Sequence, residues 1–148
     1  MMVDAYREFS AALPPHAWGG YEAEIRDVRS RLADARLIVA EDGGALAGAV
    51  TYYPDASREG HAPWPSSWAN FRLLAVHPSA RGRGVGRLLT DECVRRAREA
   101  GCEALGLHTT QLMQVARAMY ERMGFVRVPE FDFYPAPAFH VMAYRLTL

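Results

Sequence analysis

The chain has 148 residues, a length typical of one domain that can bury a substantial hydrophobic core. Its 17 basic and 17 acidic residues balance to a formal net charge of zero, which excludes the strong basic excess of most nucleic-acid-binding proteins. Two cysteines, Cys93 and Cys102, form neither a disulfide framework nor a metal-binding pattern. Because neither a signal sequence nor a membrane-spanning apolar run is found, we expect a cytoplasmic protein that binds no membrane and no metal.

The first predicted elements are two helices. Apolar residues recur with helical spacing over residues 3–13 and again over residues 21–32. Between them, residues 14–20 contain two prolines and two glycines, which favour a break in helical structure. We therefore expect two separate helices joined by an irregular segment.

Three strands and a long loop are predicted next. Residues 36–40 and 46–53 have the composition of strands, and Asp42-Gly43-Gly44 between them is typical of a hairpin turn. Residues 54–67 are rich in proline, serine, glycine and tryptophan and form a loop long enough to have a function of its own. The third strand covers residues 70–76 and ends before a His-Pro pair.

Helices and strands alternate in the rest of the chain. Helices are predicted over residues 87–100 and 111–123, where apolar residues recur with a period of 3.6. Strands are predicted over residues 104–108, 125–128 and 139–148. Since neither an internal repeat nor a linker is found, this order predicts a single α/β domain over residues 1–148, with a mixed sheet flanked by helices.

The most informative segment is Arg81-Gly82-Arg83-Gly84-Val85-Gly86, which lies between the third strand and a helix. A glycine-rich turn at the start of a helix can present backbone N–H groups to a phosphate. Its glycines allow close approach of the main chain, and its arginines add positive charge beside the positive end of the helix dipole. The segment lacks the Lys-Ser/Thr of a P-loop, and Arg87 replaces the third glycine of a dinucleotide fingerprint. It therefore predicts a polyphosphate site of another kind.

Two segments together resemble the GNAT superfamily of N-acetyltransferases. Arg81, Gly84 and Gly86 match the Arg/Gln-x-x-Gly-x-Gly/Ala pattern of that family's pyrophosphate-binding segment, and Leu-Ala-Val-His-Pro precedes them. Residues 116–125 resemble the second signature of the family, a helix with a late tyrosine followed by Gly-Phe at the start of a strand. One helix and one strand separate the two segments, as in the family. The resemblance is specific over residues 70–128.

The resemblance implies that the protein binds acetyl-CoA. The strands that end at Val76 and His108 are expected to splay apart and leave a V-shaped slot for the pantetheine arm. In similar enzymes this arm bonds to the backbone of the first strand, which here corresponds to Leu74, Ala75 and Val76. The pyrophosphate would be held by Arg81, Gly82, Arg83, Gly84, Val85 and Gly86. We expect the side chains of Arg81 and Arg83 to contact the ligand, while Arg87 fits ligand contact and a solvated helix start equally well.

The implied reaction needs a proton donor for the leaving thiolate and a proton acceptor for the attacking amine. Tyr120 occupies the position of the tyrosine that is the general acid in many relatives, although a core tyrosine would fit the same helical pattern. Relatives often carry a glutamate at the position of Asn70, whose amide cannot accept a proton. His108 is the candidate base, with a purely structural histidine as the other interpretation. A water relay and the helical acids Glu22 and Glu24 are further alternatives.

Two other departures from the family pattern are visible. Met113 replaces an asparagine that many relatives carry seven residues before the tyrosine, so we expect that contact with the cofactor to be lost or replaced. The family usually opens with a strand, whereas residues 1–3 run directly into the first predicted helix. We therefore expect a sheet without its first edge strand, and a coding start assigned too far downstream.

The acceptor is not determined by these motifs. Residues 55–65 and 131–135, together with Trp18 and Tyr21, are expected to border its site. Such aromatic residues fit a pocket for a small amine or a peptide terminus, and equally a homodimer surface. The zero net charge argues against a polycationic acceptor. Two functions follow: an acetyl-CoA-dependent N-acetyltransferase that works through a ternary complex, and a catalytically weak acyl-CoA-binding sensor or subunit.

Overall fold

A seven-stranded mixed sheet is the centre of the computed structural model, which describes all 148 residues. The strands are β1 (Arg36–Asp42), β2 (Ala45–Tyr53), β3 (Ala69–Val76), β4 (Ala104–Thr110), β5 (Val126–Arg127), β6 (Phe133–Ala136) and β7 (Phe139–Thr147). Their order is β1-β2-β3-β4-β7-β5, and β6 pairs with β7. Only β3 and β4 are parallel. The predicted α/β domain with a mixed sheet is confirmed, and β1 forms one edge of the sheet.

Five α-helices flank the sheet. They are α1 (Met2–Tyr6), α2 (Pro15–Arg26), α3 (Val28–Arg31), α4 (Val85–Glu99) and α5 (Gln114–Arg122). In β3, Leu74 packs into the core cluster beneath α4 and α5, whereas its neighbours Leu73 and Ala75 pack with α1 and α2. Because successive side chains of a strand point to opposite faces, the two pairs of helices cover opposite faces of the sheet. None of the helices has the length and apolarity needed to span a bilayer.

The prediction that residues 14–20 separate two helices is wrong. α2 begins at Pro15, because a proline at the first helical position lacks only an N–H that has no helical partner there. Both glycines of the segment then lie inside α2, where they weaken the helix without ending it. The break instead occurs at Asp27, whose carboxylate accepts a hydrogen bond from the backbone N–H of Ser30 at 3.2 Å and caps α3.

Other bounds differ from the predictions by a few residues. The first predicted helix, over residues 3–13, is α1 followed by a 3₁₀ segment. α4 begins at Val85, two residues early, and α5 is shorter than the predicted 111–123. The segment before the last strand, predicted as a loop, contains β6 because Phe133 pairs with Val141.

β3 and β4 pair only at their beginnings. The parallel ladder joins residues 69–71 of β3 to residues 105–107 of β4, and the two strands share no pair beyond it. β4 continues to pair with β7 along its whole length, so the separation leaves β4 inside the sheet. The predicted splay between these two strands is therefore present.

A bulge in β3 accompanies the separation. Leu73 and Leu74 together stand opposite Val50 of β2, so β3 has one extra residue at this point. Leu73 has a φ angle of 55°, a left-handed conformation that is rare for leucine. A bulge bends the strand that carries it, and this one begins two residues after the last β3–β4 pair. The local backbone thus bends where the cleft between the strands begins.

Gly48 of β2 allows the first turn of α4 to pack closely against the sheet. A Cβ at this position would lie 2.8 Å from the carbonyl oxygen of Ala75 and 2.9 Å from Cγ1 of Val85. Both neighbours belong to the walls of the cleft between β3 and β4. Gly48 therefore sets the distance between β2 and the segment that begins α4.

We predict that Gly48→Ala lowers the free energy of unfolding by about 1–3 kcal/mol, because the added methyl group overpacks this contact. Gly19→Ala is the matched control, since a Cβ at the exposed Gly19 of α2 meets no atom within 4 Å. It should raise the free energy of unfolding by about 0.5–1 kcal/mol through helix propensity. Urea unfolding of both variants measures the difference, and a Gly48→Ala variant as stable as the parent would contradict the packing argument.

Candidate active site

A cleft of about 740 Å³ opens where β3 and β4 separate. Its walls come from the end of β3, the start of α4, the end of β4 and α5. Of the residues predicted to hold the cofactor, the cleft is lined by Leu74, Ala75, Val76, Arg81, Gly82, Gly84, Val85 and Gly86. The two candidate catalytic residues, Tyr120 and His108, line the same cleft. The fold therefore brings nearly all the predicted residues into one space.

The glycine loop places the start of α4 at this cleft. Gly82 and Gly84 have φ angles of 73° and 80°, and no heavy atom lies within 4 Å of a Cβ built on either residue. Backbone conformation, and not crowding, thus requires glycine at both positions. Leu88 is the first residue to donate a helical hydrogen bond, to the carbonyl of Gly84 at 3.0 Å. The N–H groups of the preceding turn have no helical acceptor and suit an anion.

The loop arginines have partners within the protein. The guanidinium of Arg81 donates to the carbonyl of Ala5 at 2.9 Å and pairs with Glu8 at 2.9 Å, so it ties the loop to the N-terminal segment. Arg83 does not line the cleft, and its guanidinium pairs with Asp42, the last residue of β1, at 2.5 Å. Arg87 lines the cleft and makes an exposed pair within α4. Arg81 and Arg87 are therefore the loop arginines that line the cleft, and Arg83 is not among them.

Tyr120 of α5 has its ring in the core and its hydroxyl at the cleft. The ring packs against Phe71 and Phe125, with centroids 5.9 and 5.7 Å away. The hydroxyl has no hydrogen-bonding partner in the protein. Burial, and to a lesser degree the thiol of Cys93, raises the pKa of Tyr120 above its ordinary value. The residue is therefore a neutral proton donor at physiological pH.

Tyr6 is a site residue that sequence analysis missed. Its hydroxyl donates to the carbonyl oxygen of Leu74, the second residue of the bulge, at 2.7 Å. Burial raises the pKa of Tyr6, so the hydroxyl keeps its proton. Tyr6 satisfies a carbonyl of the first strand of the slot, which leaves other groups of Leu74, Ala75 and Val76 for a ligand. Nothing in the sequence of a short N-terminal helix indicates this distant contact.

His108 lies between the cleft and a second cavity. Its Nε2 is 2.8 Å from the carbonyl oxygen of Phe131, so Nε2 carries the hydrogen and Nδ1 keeps a free lone pair. The ring packs between Trp64 and Phe133, with centroids 4.8 and 4.9 Å away. Burial lowers the pKa of His108 despite the carbonyl bond. His108 is thus a neutral imidazole with an unoccupied acceptor nitrogen.

The second cavity has a volume of about 420 Å³ and adjoins the cleft. Both spaces are lined by Tyr6, Phe9, Arg72, Leu73, His108, Thr109, Leu112 and Met113. Of the predicted acceptor residues, Tyr21, His61, Phe133 and Pro135 line it, whereas Trp18 does not and Trp64 is buried in a separate core cluster. The structure therefore separates the aromatic residues into cavity walls and core.

Four charged or titratable side chains meet in this second cavity. Glu24 of α2 accepts a hydrogen bond from Arg72 of β3 at 2.5 Å. Nδ1 of His61 lies 3.0 Å from the carboxylate of Glu59, and its Nε2 lies 3.3 Å from Glu24. Nε of Arg72 is 3.7 Å from Glu59, which closes the cluster. Sequence analysis named Glu24 as a possible base and placed Glu59 and His61 in the predicted acceptor loop. It did not predict that they meet Arg72, because the partners come from a helix, a loop and a strand far apart in the chain.

Glu59 and His61 stabilise each other's charged forms. The carboxylate of Glu59 is only 2% exposed. This burial acts to raise the pKa of Glu59, but hydrogen bonds from His61 and the charge of Arg72 outweigh it, and the pKa is lowered. The hydrogen bond to Glu59 raises the pKa of His61 against the opposing effects of burial and Arg72. The carboxylate of Glu59 and the imidazolium of His61 are therefore both favoured within the cavity, although Glu59 is buried.

Other predicted candidates lie elsewhere. Asn70 is 1% exposed, lines neither cavity, and has no partner for its amide atoms. Glu22 lines neither cavity and pairs with Arg26 at 2.8 Å. Met113, which replaces the family asparagine, lies where the two cavities meet. Sequence position thus located Met113 correctly beside the cleft, whereas Asn70 and Glu22 have no access to it.

Comparison with curated proteins shows relatives named as acetyltransferases. Mycothiol acetyltransferase of Geodermatophilus obscurus is 28% identical over 123 residues, which are 82% of this chain and 38% of that protein. The enzyme of the same name from Propionibacterium freudenreichii is 34% identical, covering 67% of this chain and 32% of that protein. Streptothricin acetyltransferase of Streptomyces lavendulae is 38% identical, covering 63% of this chain and 46% of that protein. The chain thus spans less than half the length of each of these relatives.

Solved structures share the fold. A GNAT-family protein from Desulfovibrio desulfuricans superposes with a TM-score of 0.70 at 20% identity, covering 99% of this chain and 90% of that one. A GNAT family acetyltransferase from Elizabethkingia anophelis with acetyl-CoA bound superposes with a TM-score of 0.64 at 14% identity, covering 82% of this chain and 81% of that one. The Acetyltransferase (GNAT) family model matches residues 2–125. This range includes the glycine loop, Tyr120 and the point where β3 and β4 separate, which we call the fork. By this match and by its fold, the chain belongs to the GNAT acetyltransferase family.

Proposed function

We propose that the protein transfers an acetyl group from acetyl-CoA to a primary amine of a small molecule or peptide, by direct attack in a ternary complex. One observation carries the proposal: the cleft and the second cavity meet where β3 and β4 separate, and the cleft is lined there by a proton donor, Tyr120, and a proton acceptor, His108. Each substrate has a space of its own, so a covalent intermediate on the protein is not needed. The acetyl-CoA bound in the Elizabethkingia anophelis relative supports the choice of donor.

The larger cleft suits the elongated shape of acetyl-CoA. The free N–H groups at the start of α4 would hold the pyrophosphate, and the backbone of residues 74–76 would pair with the pantetheine amides. The acetyl thioester would then lie near the bulge at Leu73, which lines both cavities. This orientation presents the thioester carbonyl to a nucleophile that enters from the second cavity.

Tyr120 and His108 divide the proton transfers in this proposal. The amine attacks the carbonyl carbon, the C–S bond breaks, and the thiolate takes the proton of the Tyr120 hydroxyl. Nδ1 of His108 accepts the proton that the nitrogen loses after attack. The raised pKa of Tyr120 keeps its hydroxyl protonated at neutral pH. The lowered pKa of His108 keeps its acceptor nitrogen free.

An acyl-CoA-binding protein without turnover is the second candidate function. The observation that favours it is the buried amide of Asn70 in place of a carboxylate. The names of the curated relatives favour transfer, with mycothiol and streptothricin as the compounds named. The two candidates differ in whether thiol is released from acetyl-CoA when an amine is present.

We predict that Tyr120→Phe lowers kcat by about 10²–10⁴-fold with any amine that supports release of CoA thiol, because general acid catalysis is lost. The melting temperature should stay close to that of the parent, since the hydroxyl has no partner in the protein. Tyr134→Phe is the control, because Tyr134 is 62% exposed and lines neither cavity. Thiol release over a panel of primary amines provides the rates.

Unchanged turnover in the Tyr120→Phe variant would remove this residue from the mechanism. Calorimetric binding of acetyl-CoA without thiol release on any amine would favour the acyl-CoA-binding alternative. Lack of acetyl-CoA binding would contradict both candidate functions.

The Glu59–His61 pair makes stability depend on pH in two directions. The lowered pKa of Glu59 contributes stability above the ordinary value of 4.5, and this contribution is lost as pH falls through the lowered value. The raised pKa of His61 contributes stability below the ordinary value of 6.5, and this contribution is lost as pH rises through the raised value. Both contributions are present together between these two ordinary values.

We predict that Glu59→Gln lowers the free energy of unfolding by about 1.5–3 kcal/mol near pH 6, because a buried charge-assisted hydrogen bond is lost. The difference from the parent should shrink as pH rises through the raised pKa of His61, because the imidazole then loses its charge. Glu99→Gln, in an exposed pair with Arg95, is the control and should cost at most about 0.5 kcal/mol. Urea titrations on both sides of the raised pKa of His61 measure this, and a difference that grows with pH would refute the pairing.

A further inference from the structure

We infer that the second cavity takes a small primary amine with an aromatic or similarly apolar body, and that Glu24 receives its ammonium group. This inference rests on the proposed function, because it names the class of acceptor for that reaction. Its two parts come from different walls of the same cavity. One part of its lining is apolar and half-buried, and another part is the charged cluster.

The apolar wall is formed by side chains that are only half-buried. It contains Phe9, Leu13, Tyr21, Phe133 and Phe139. They come from the N-terminal segment, α2 and the β6–β7 hairpin, so they surround the cavity from several sides. Apolar side chains that converge on a cavity of about 420 Å³ are typical of a small-molecule site. The wall therefore fits the hydrocarbon part of a ligand.

The charged end offers one carboxylate oxygen that the protein leaves free. Two carboxylates, Glu24 and Glu59, face a single guanidinium, that of Arg72, with the imidazoles of His61 and His108 beside them. Glu59 uses both of its oxygens on His61 and is 2% exposed. Glu24 uses only Oε1 within the protein, and its side chain is 34% exposed. Oε2 of Glu24 is therefore the carboxylate oxygen available to a cation.

The position of Glu24 orients the ligand relative to the cleft. Its partner Arg72 directly precedes Leu73, and both residues line the cleft as well as the cavity. An ammonium at Glu24 thus lies at the end of the cavity that adjoins the expected thioester. The apolar body then packs against the half-buried side chains that line the rest of the cavity. Once the ammonium has lost one proton to solvent, its nitrogen can attack from this end, and Nδ1 of His108 takes the second proton after attack.

The same walls disfavour other amines. A diamine without an apolar body would place its second ammonium among aromatic side chains, where an unpaired charge is costly. A neutral alcohol of the same shape would leave the free oxygen of Glu24 without a cation. The cavity is also too small to hold more than the end of a peptide. Selectivity for an amine with one charge and one apolar body follows.

Calorimetry with three probes tests this inference in the presence of CoA. We expect 2-phenylethylamine to bind at least about tenfold more tightly than 2-phenylethanol or putrescine. In the Glu24→Gln variant, affinity for 2-phenylethylamine should fall about tenfold, while affinity for 2-phenylethanol should not change. The amide oxygen introduced by this substitution can still accept the hydrogen bond from Arg72, so the fold is retained. Glu22→Gln is the matched control on α2, lies outside the cavity, and should leave all three affinities unchanged.

Three results would overturn the inference. They are equal affinity of 2-phenylethylamine in the parent and in Glu24→Gln, binding of putrescine as tight as that of 2-phenylethylamine, and no saturable binding of 2-phenylethylamine up to about 10 mM. The calorimetry uses CoA, which carries no acetyl group, so it measures binding of the amine without acetyl transfer. Glu24-dependent binding without thiol release would therefore refute the proposed function and leave this site intact, whereas thiol release without Glu24-dependent binding would refute this site alone.

Discussion

The short ladder between β3 and β4 is the constraint on which the rest of the structure depends. Only residues 69–71 of β3 pair with β4, and the bulge at Leu73 bends the strand soon after the last pair. Buried backbone groups need partners, so strands that separate inside a sheet leave a slot that suits a ligand rich in amides. The glycine loop, α5 and the second cavity all adjoin this slot. Tyr6 satisfies one of its carbonyls, that of Leu74.

Burial favours the neutral form of every titratable group near the fork, and the presence or absence of a charged partner decides whether that form prevails. Tyr120 and His108 stand without charged partners, so burial favours their neutral forms, one as a proton donor and one as a proton acceptor. Glu59 and His61 are also buried to a large extent, but each has the other as a partner, and their charged forms are favoured. Neutral proton-transfer groups and a persistent charged cluster can thus lie side by side in one small region.

Local sequence was sufficient to predict the cleft and insufficient to predict the second cavity. The glycine loop and the tyrosine of α5 have fixed spacing within short segments, so the sequence shows them directly. Arg72, Glu59 and Glu24 meet through three separate elements, and the spacing of their positions carries no sign of that contact. The prediction for residues 14–20 failed because proline and glycine disfavour the interior of a helix, whereas Pro15 begins one. Loop arginines were expected at the ligand, yet Arg83 instead pairs with Asp42.

A crystal structure of the protein with CoA bound tests the central claim most directly. The account predicts that the pyrophosphate lies against the N–H groups of residues 84–87 and that the pantetheine arm follows residues 74–76. The sulfur should then lie within hydrogen-bonding reach of the Tyr120 hydroxyl, with Nδ1 of His108 facing the same point. CoA bound outside the fork, or with its sulfur far from Tyr120, would contradict the account.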